Sequence, residues 1–263
     1  MSALSGCDDS ASGASRKLVW SDEFKGPAGK APSASRWRFE VFGDGSGNQE
    51  LQCYTSAPGN VATNGRGKLV ITARKQPGHR CADGHTNDYT SGRITTQGMF
   101  STRYGTLEVR AKVPAGVGTW PAFWALGTNK PRVGWPAAGE IDVMEHVGRR
   151  PRQVSGSVHG PDAAGQRWYL TRKARAERDL SRGYHVYSVD WSPQRLVWRL
   201  DGKAYGTVTK AQVKKAGGRW VFDHRFYLLL NLAVGGNLGG EVPASTTWPQ
   251  KYSVDYVRVY RNR

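Results

Sequence analysis

The feature that most limits the fold is a recurrence of short strand-like segments divided by turn residues. They fall at 68–74, 104–113, 185–191, 196–200, 227–234 and 254–261. In the second segment Leu107, Val109 and Ala111 alternate with Thr106, Glu108 and Arg110. That period of two marks a strand with one buried face. Residues 196–205 read as a hairpin about Asp201-Gly202, a dipeptide suited to the positive φ values of a tight turn. Only 209–216 reads as helix, and it is short. No crossover helices are visible, which argues against a βα-alternating fold, and two antiparallel sheets packed face to face are expected. All-β domains often use 263 residues as one unit, so residues 16–263 read as a single domain. Ten Trp, eleven Tyr and seven Phe supply a core with rings to spare for a carbohydrate-binding surface.

The net charge of +17 raises nucleic acid, an anionic polysaccharide or an anionic wall as partners. No zinc-finger spacing, RNA-recognition motif or basic helix with heptads is present, which ranks nucleic acid low. The densest basic stretches are 149–152 and 172–178. They read first as solvated surface, and second as a contact for an anionic ligand.

No apolar run is long enough to span a membrane as a helix. Leu4-Ser5-Gly6-Cys7 has the form of a bacterial lipobox, followed by a polar stretch. The charged and apolar regions that precede such a box are missing, so the match reads as a trimmed precursor or as chance. Residues 1–15 are expected to be a disordered leader or a lipoprotein tether through Cys7. Cys53 and Cys81 can pair if the chain is exported, which leaves Cys7 single. His79, Cys81 and His85 also invite a zinc reading, but their spacing matches no standard zinc module.

The informative segment is Gly139-Glu140-Ile141-Asp142-Val143-Met144-Glu145-His146. On a strand Glu140 and Asp142 share a face, whereas Glu145 falls on the other. One extra residue near Val143 or Met144, as a β-bulge, brings Glu145 back. Three like charges on one face repel, and at least one pKa should rise. A retaining glycosidase needs such a set: one carboxylate attacks, and a second, kept protonated, gives its proton to the leaving oxygen. Calcium would also accept three acids. The neighbours favour catalysis, because Trp120 and Trp124 precede the acids at a spacing that puts both on one strand face, where indoles stack on sugars. Phe123 between them reads as core.

The chain resembles glycoside hydrolase family 16, in its laminarinase (endo-β-1,3-glucanase) branch. The acids match the Glu-x-Asp-x-x-Glu form of that branch, and the extra residue departs from lichenase-type members. Further resemblance lies in 19–24, 48–55, 91–94, 104–114, 230–237 and 254–260, in order from about residue 18 to the C-terminus. It implies a curved β-jelly roll with a concave substrate cleft. It implies Glu140 as nucleophile, Glu145 as acid/base and Asp142 as the assisting carboxylate. Trp120, Trp124, Asn48, Arg93 and His159 would contact glucan, with His146 beside Glu145. Glu23 and Asp255 match positions that hold a structural calcium in many members, and catalysis needs no cofactor. The expected protein is an extracellular monomer acting on β-glucan. A hydrolase of sulfated galactan, a transglycosylase and a non-catalytic glucan-binding module remain the alternatives.

Overall fold

The computed structural model describes residues 16–262. The leader expectation and Cys7 lie outside the described residues. In chain order the first strands are β1 (Arg16–Asp22), β2 (Arg38–Phe39), β3 (Gln52–Tyr54), β4 (Val61–Thr63), β5 (Leu69–Arg80) and β6 (Thr86–Ser91). Next come β7 (Arg93–Thr95), β8 (Gly105–Lys112), β9 (Thr119–Gly127), β10 (Glu140–Glu145), β11 (Gln153–Pro161) and β12 (Arg167–Arg175). The last are β13 (His185–Trp191), β14 (Arg195–Leu200), β15 (Lys203–Thr209), β16 (Phe226–Val234) and β17 (Gln250–Asn262). Among the described residues three short α-helices interrupt them: α1 (Lys130–Val133), α2 (Lys210–Lys215) and α3 (Gly236–Gly239).

The strands form a β-jelly roll of two sheets. The inner, cleft-bearing sheet has the order β12-β11-β10-β9-β16-β7-β2. The outer sheet runs β15-β14-β13-β8-β17-β5-β6-β3, with β1 on β17 and β4 on β5. One pair departs from the antiparallel expectation: β3 and β6 run parallel. A parallel pair cannot be joined by a hairpin, and β3 instead enters after a long irregular stretch beyond β2.

One apolar cluster fills the space between the sheets. Leu107, Val109 and Ala111 of β8 belong to it with Phe123 and Ala125 of β9. Strand β16 is buried along its whole length. Its even-numbered residues from Phe226 to Val234 join the core. Tyr227 and Leu229, one step out of phase, form a small second cluster with Leu126 and Trp124 on the cleft side.

The Asp201-Gly202 turn has φ of 49° and 79°, as a tight hairpin requires. Thr209 caps α2, and Gln212 returns the bond to the Thr209 backbone, so the helical reading of 209–216 holds. The basic stretch 172–178 keeps most of its charges at the surface, as first read. Its start lies in β12, whose Trp168, Leu170 and Ala174 pack on the core while Arg167, Lys173 and Arg175 are exposed.

Candidate active site

The site is organised by the register of β10. Glu140 pairs with Leu126 of β9 and His159 of β11. Asp142 pairs with Trp124 and Ser157. Then Met144 pairs with Phe123, and Glu145 pairs with Ala122 and Ser155. Strand β10 therefore carries one extra residue at Val143, which is a β-bulge. The bulge puts Glu140, Asp142 and Glu145 on one face with Trp124, while Ile141, Val143 and Met144 join the core. It also frees the Asp142 carbonyl from the ladder, and Trp198 Nε1 of β14 donates to it through the core at 2.8 Å. Gly156 of β11 permits this approach, since a Cβ there would overlap the Trp198 ring.

The two glutamates each accept from an indole, and Asp142 lies against His159. Glu140 Oε2 accepts from Trp135 Nε1 at 3.0 Å. His159 Nε2 lies 3.0 Å from Asp142 Oδ2 and 3.9 Å from Glu140 Oε1. Glu145 Oε1 accepts from Trp120 Nε1 at 3.1 Å, with Ser157 Oγ 3.4 Å from Oε2. Burial is the largest influence on all three and raises their pKa values. Glu145 is pushed up to about 8 by burial and by the Asp142 and Glu140 charges, against the lowering pull of His159 and Trp120. Glu140 is pushed up to about 7 by burial and the Asp142 charge, opposed by His159, Trp135 and Arg93. Burial raises Asp142 too, while a hydrogen bond with Glu140 and the Arg167 charge lower it.

The other expected contact residues separate into two groups. Trp124 belongs to the site. Its Nε1 donates to Asn231 Oδ1 at 2.8 Å, and the Arg93 guanidinium lies 4.8 Å from its ring. Arg93 is ion-paired to Glu40. Asn231 Nδ2 donates to the Tyr54 hydroxyl at 3.0 Å, which donates to Glu50 Oε2 at 3.0 Å. Asn48 Nδ2 donates to the other oxygen of Glu50 at 3.1 Å. Asn48 and Arg93 are thus joined to Trp124 by one polar network.

His146 does not join the site. It is 1 % exposed, its Nδ1 bonds to the Gln153 carbonyl at 2.8 Å, and burial lowers its pKa. It follows the bulge on the core side, so it cannot reach a ligand in the cleft. The calcium expectation is also corrected. Glu23 makes a two-pronged pair with Arg258 at 2.9 Å, and Asp255 pairs with Lys68 and Arg110. Carboxylates already neutralised by guanidinium and ammonium groups do not fit a calcium site. Cys53 and Cys81 form a disulfide, which removes Cys81 from any zinc set.

Glu140, Asp142 and His159 each offer an atom within 4.8 Å of the others, a spacing that could hold a cation. The indole N–H groups favour another use. They can only donate, and two of the three carboxylates receive one.

Several members of the site escaped sequence reasoning. Trp135 is 42 % exposed in the loop after α1, where no periodicity points to it. Ser157 lies in a strand-like run, 154–158, but nothing in the sequence marks it as a neighbour of Glu145. Asn231 had a signal: it is the one polar residue in the apolar run of β16.

What the inner sheet presents is a surface for breaking glycosidic bonds, and the class is that of the glycoside hydrolases. The chain belongs to the glycosyl hydrolases family 16, whose profile matches residues 39–258. It is 40 % identical to a beta-glucanase of Rhodothermus marinus, over 99 % of this chain and 92 % of the relative. It is 38 % identical to a glucan endo-1,3-beta-glucosidase of Cryptopygus antarcticus, over 92 % of this chain and 90 % of the relative. Among solved structures, the endo-beta-1,3-glucanase from Pyrococcus furiosus superposes with a TM-score of 0.85 at 41 % identity, covering 94 % of each chain.

Proposed function

We propose that this enzyme hydrolyses internal β-1,3-glucosidic bonds of laminarin-type β-glucan by retaining double displacement. The observation that carries the reading is the unequal setting of Glu140 and Glu145 on one strand face. Burial and the charges of both Asp142 and Glu140 favour the protonated form of Glu145, which suits it as the acid, while His159, Trp135 and Arg93 favour the ionised form of Glu140. Glu140 attacks the anomeric carbon, and the bond to the leaving sugar breaks with its electron pair on the leaving oxygen. That oxygen takes the Glu145 proton. Water then attacks the glycosyl-enzyme, Glu145 accepts the proton of that water, and Glu140 leaves as a carboxylate. Asp142 assists by sharing charge with Glu140, held by His159 at 3.0 Å. Trp120 and Trp124 receive sugar faces, with Arg93, Asn48 and His159 at their edges. No cofactor enters these steps. The glucanase names of the two relatives and of the solved structure support this substrate.

We also place the enzyme outside the cytoplasm, as a monomer released or tethered through Cys7. Disulfides such as Cys53–Cys81 persist in oxidising compartments.

The test is incubation with laminarin, mixed-linkage β-1,3-1,4-glucan and κ-carrageenan, following new reducing ends and product sizes. Glu140→Gln is the control. Early laminari-oligosaccharides, absent in the variant, support the reading. Cleavage of κ-carrageenan alone, or equal activity in the variant, overturns it.

A further inference from the structure

We propose that the β12 wall of the cleft binds acidic substituents, so that the enzyme grips a β-glucan bearing carboxylate or sulfate groups more tightly than a neutral one. The inference rests on the reading of the cleft as a glucan site, and it names the chemistry of one end of that cleft.

The placement follows from register. Tyr169 pairs with His159, Thr171 with Ser157, and Lys173 with Ser155. Those β11 residues in turn pair with Glu140, Asp142 and Glu145. Cross-strand partners share a face, so each catalytic row ends on a cleft-facing residue of β12. Two inter-strand steps separate them, about 10 Å. Arg167 lies one row beyond Tyr169 and pairs with Pro161, and Arg175 lies one row beyond Lys173 and pairs with Gln153. Every charged residue on the cleft face of this strand is therefore cationic. Lysine on an edge strand also serves to block edge-to-edge pairing. That need is met by either sign of charge on either face, and it does not select three cations turned to the cleft.

Among the described residues, none of Arg167, Lys173 and Arg175 is held in a contact ion pair, although the Arg167 charge reaches Asp142. At the other end of the cleft Arg93 is paired with Glu40. Beside these charges stands a ring for a sugar. Tyr169 is 55 % exposed, the His159 ring stacks on it at 5.5 Å, and the Arg167 guanidinium lies 5.0 Å from its ring and 5.7 Å from that of Trp135. The loop from β10 to β11 adds to the same corner, where the Arg152 carbonyl accepts from Ala176 N just past β12 at 2.7 Å. Charge is concentrated in this part of the chain. Residues 149–219 hold sixteen Lys and Arg against five Asp and Glu, a surplus of eleven within the net +17.

The experiment measures binding by Glu140→Gln protein, which holds polymer without cutting it. The probes are laminarin, carboxymethylated laminarin and laminarin sulfate, each in about 20 mM and about 300 mM NaCl, since exposed charges are screened at the higher salt. The acidic polymers are expected to bind about fivefold tighter than laminarin at low salt, at the strength of two exposed ion pairs. That gain should vanish at high salt and in Lys173→Glu/Arg175→Glu. It should persist in Lys214→Glu/Lys215→Glu, which changes the same charge on α2, a helix against β15 of the outer sheet. A gain for one acidic polymer alone identifies the substituent. Equal binding of neutral and acidic polymers, or equal loss in both double variants, overturns the proposal. Failure of the wild-type protein to cut laminarin would sink the proposed reaction instead, and it would appear in a separate assay.

Discussion

Trp198 donates its indole N–H to the carbonyl oxygen of Asp142, from the outer sheet to the inner one, at 2.8 Å. The bond lies at the bulge that sets Asp142 and Glu145 on the same face. A strand ladder cannot satisfy a carbonyl freed by an extra residue, so a core side chain does so. Trp198→Phe keeps a ring in the core and removes the donor. Stability is expected to fall by about 1–3 kcal/mol, for a buried acceptor left unpaired. The looser bulge misplaces Glu145 against Glu140, so kcat should fall further than KM rises. Thermal unfolding and laminarin kinetics check both, and an unchanged kcat would show that the bulge holds without this bond.

The two end carboxylates should fail in different ways. Glu140→Gln removes the nucleophile and is expected to abolish turnover on every substrate, with folding intact. Glu145→Gln removes the proton donor, worth about 10²–10⁴-fold in rate on laminarin. An aryl glucoside whose leaving group needs no proton should regain its first step in Glu145→Gln, seen as a burst of phenol, and not in Glu140→Gln. A burst in both variants would reverse or cancel the assignment.

The pH profile follows from the same pair. The enzyme works with Glu140 ionised and Glu145 protonated, so kcat/KM should rise with an apparent pKa of about 7 and fall with one of about 8. Trp120 N–H favours the ionised form of Glu145. Trp120→Phe should therefore shift the alkaline limb to higher pH. Stability has a matching sign. A carboxyl with a raised folded pKa adds stability that is fully present below its ordinary value and is lost as pH rises through the folded value. Between about pH 5 and about pH 9 the wild type should lose more Tm than Glu145→Gln. Parallel Tm curves would contradict the burial of this group.

Much of this was legible beforehand, and the reasons differ by residue. The three acids and the bulge could be read because strand periodicity is rigid: only an added residue near Val143 aligns Glu145 with Glu140. The hairpin at Asp201-Gly202 and the cap at Thr209 are local chemistry. Trp198 could not be read as the partner of Asp142, since that contact joins residues 56 apart through the core. Trp135 comes from an irregular loop. His146 was misplaced because proximity in sequence to Glu145 says nothing about the face after a bulge. Glu23 and Asp255 sat at plausible positions, but their cations, Arg258, Lys68 and Arg110, are set by tertiary pairing.

The last prediction concerns Asn231, the polar residue in the middle of β16. Its amide serves two rings at once, accepting from Trp124 Nε1 at 2.8 Å and donating to the Tyr54 hydroxyl at 3.0 Å. Asn231→Leu keeps the size and removes both bonds. The Trp124 N–H and the Tyr54 oxygen lose a partner, so stability should fall by about 1–3 kcal/mol. The Trp124 ring also loses the polar anchor on its edge and keeps Arg93 4.8 Å away and its packing on Leu126, Tyr227 and Leu229. Since Trp124 lies on the proposed sugar-binding face and donates to none of the three acids, KM should rise more than kcat falls. Arg93→Lys removes the planar group from the same ring while retaining a charge for Glu40. If both residues hold one indole, the effects of Asn231→Leu and Arg93→Lys on KM should not add. Strict additivity would mean that Arg93 acts on the ligand directly, and that the polar network from Asn48 to Trp124 is only structural.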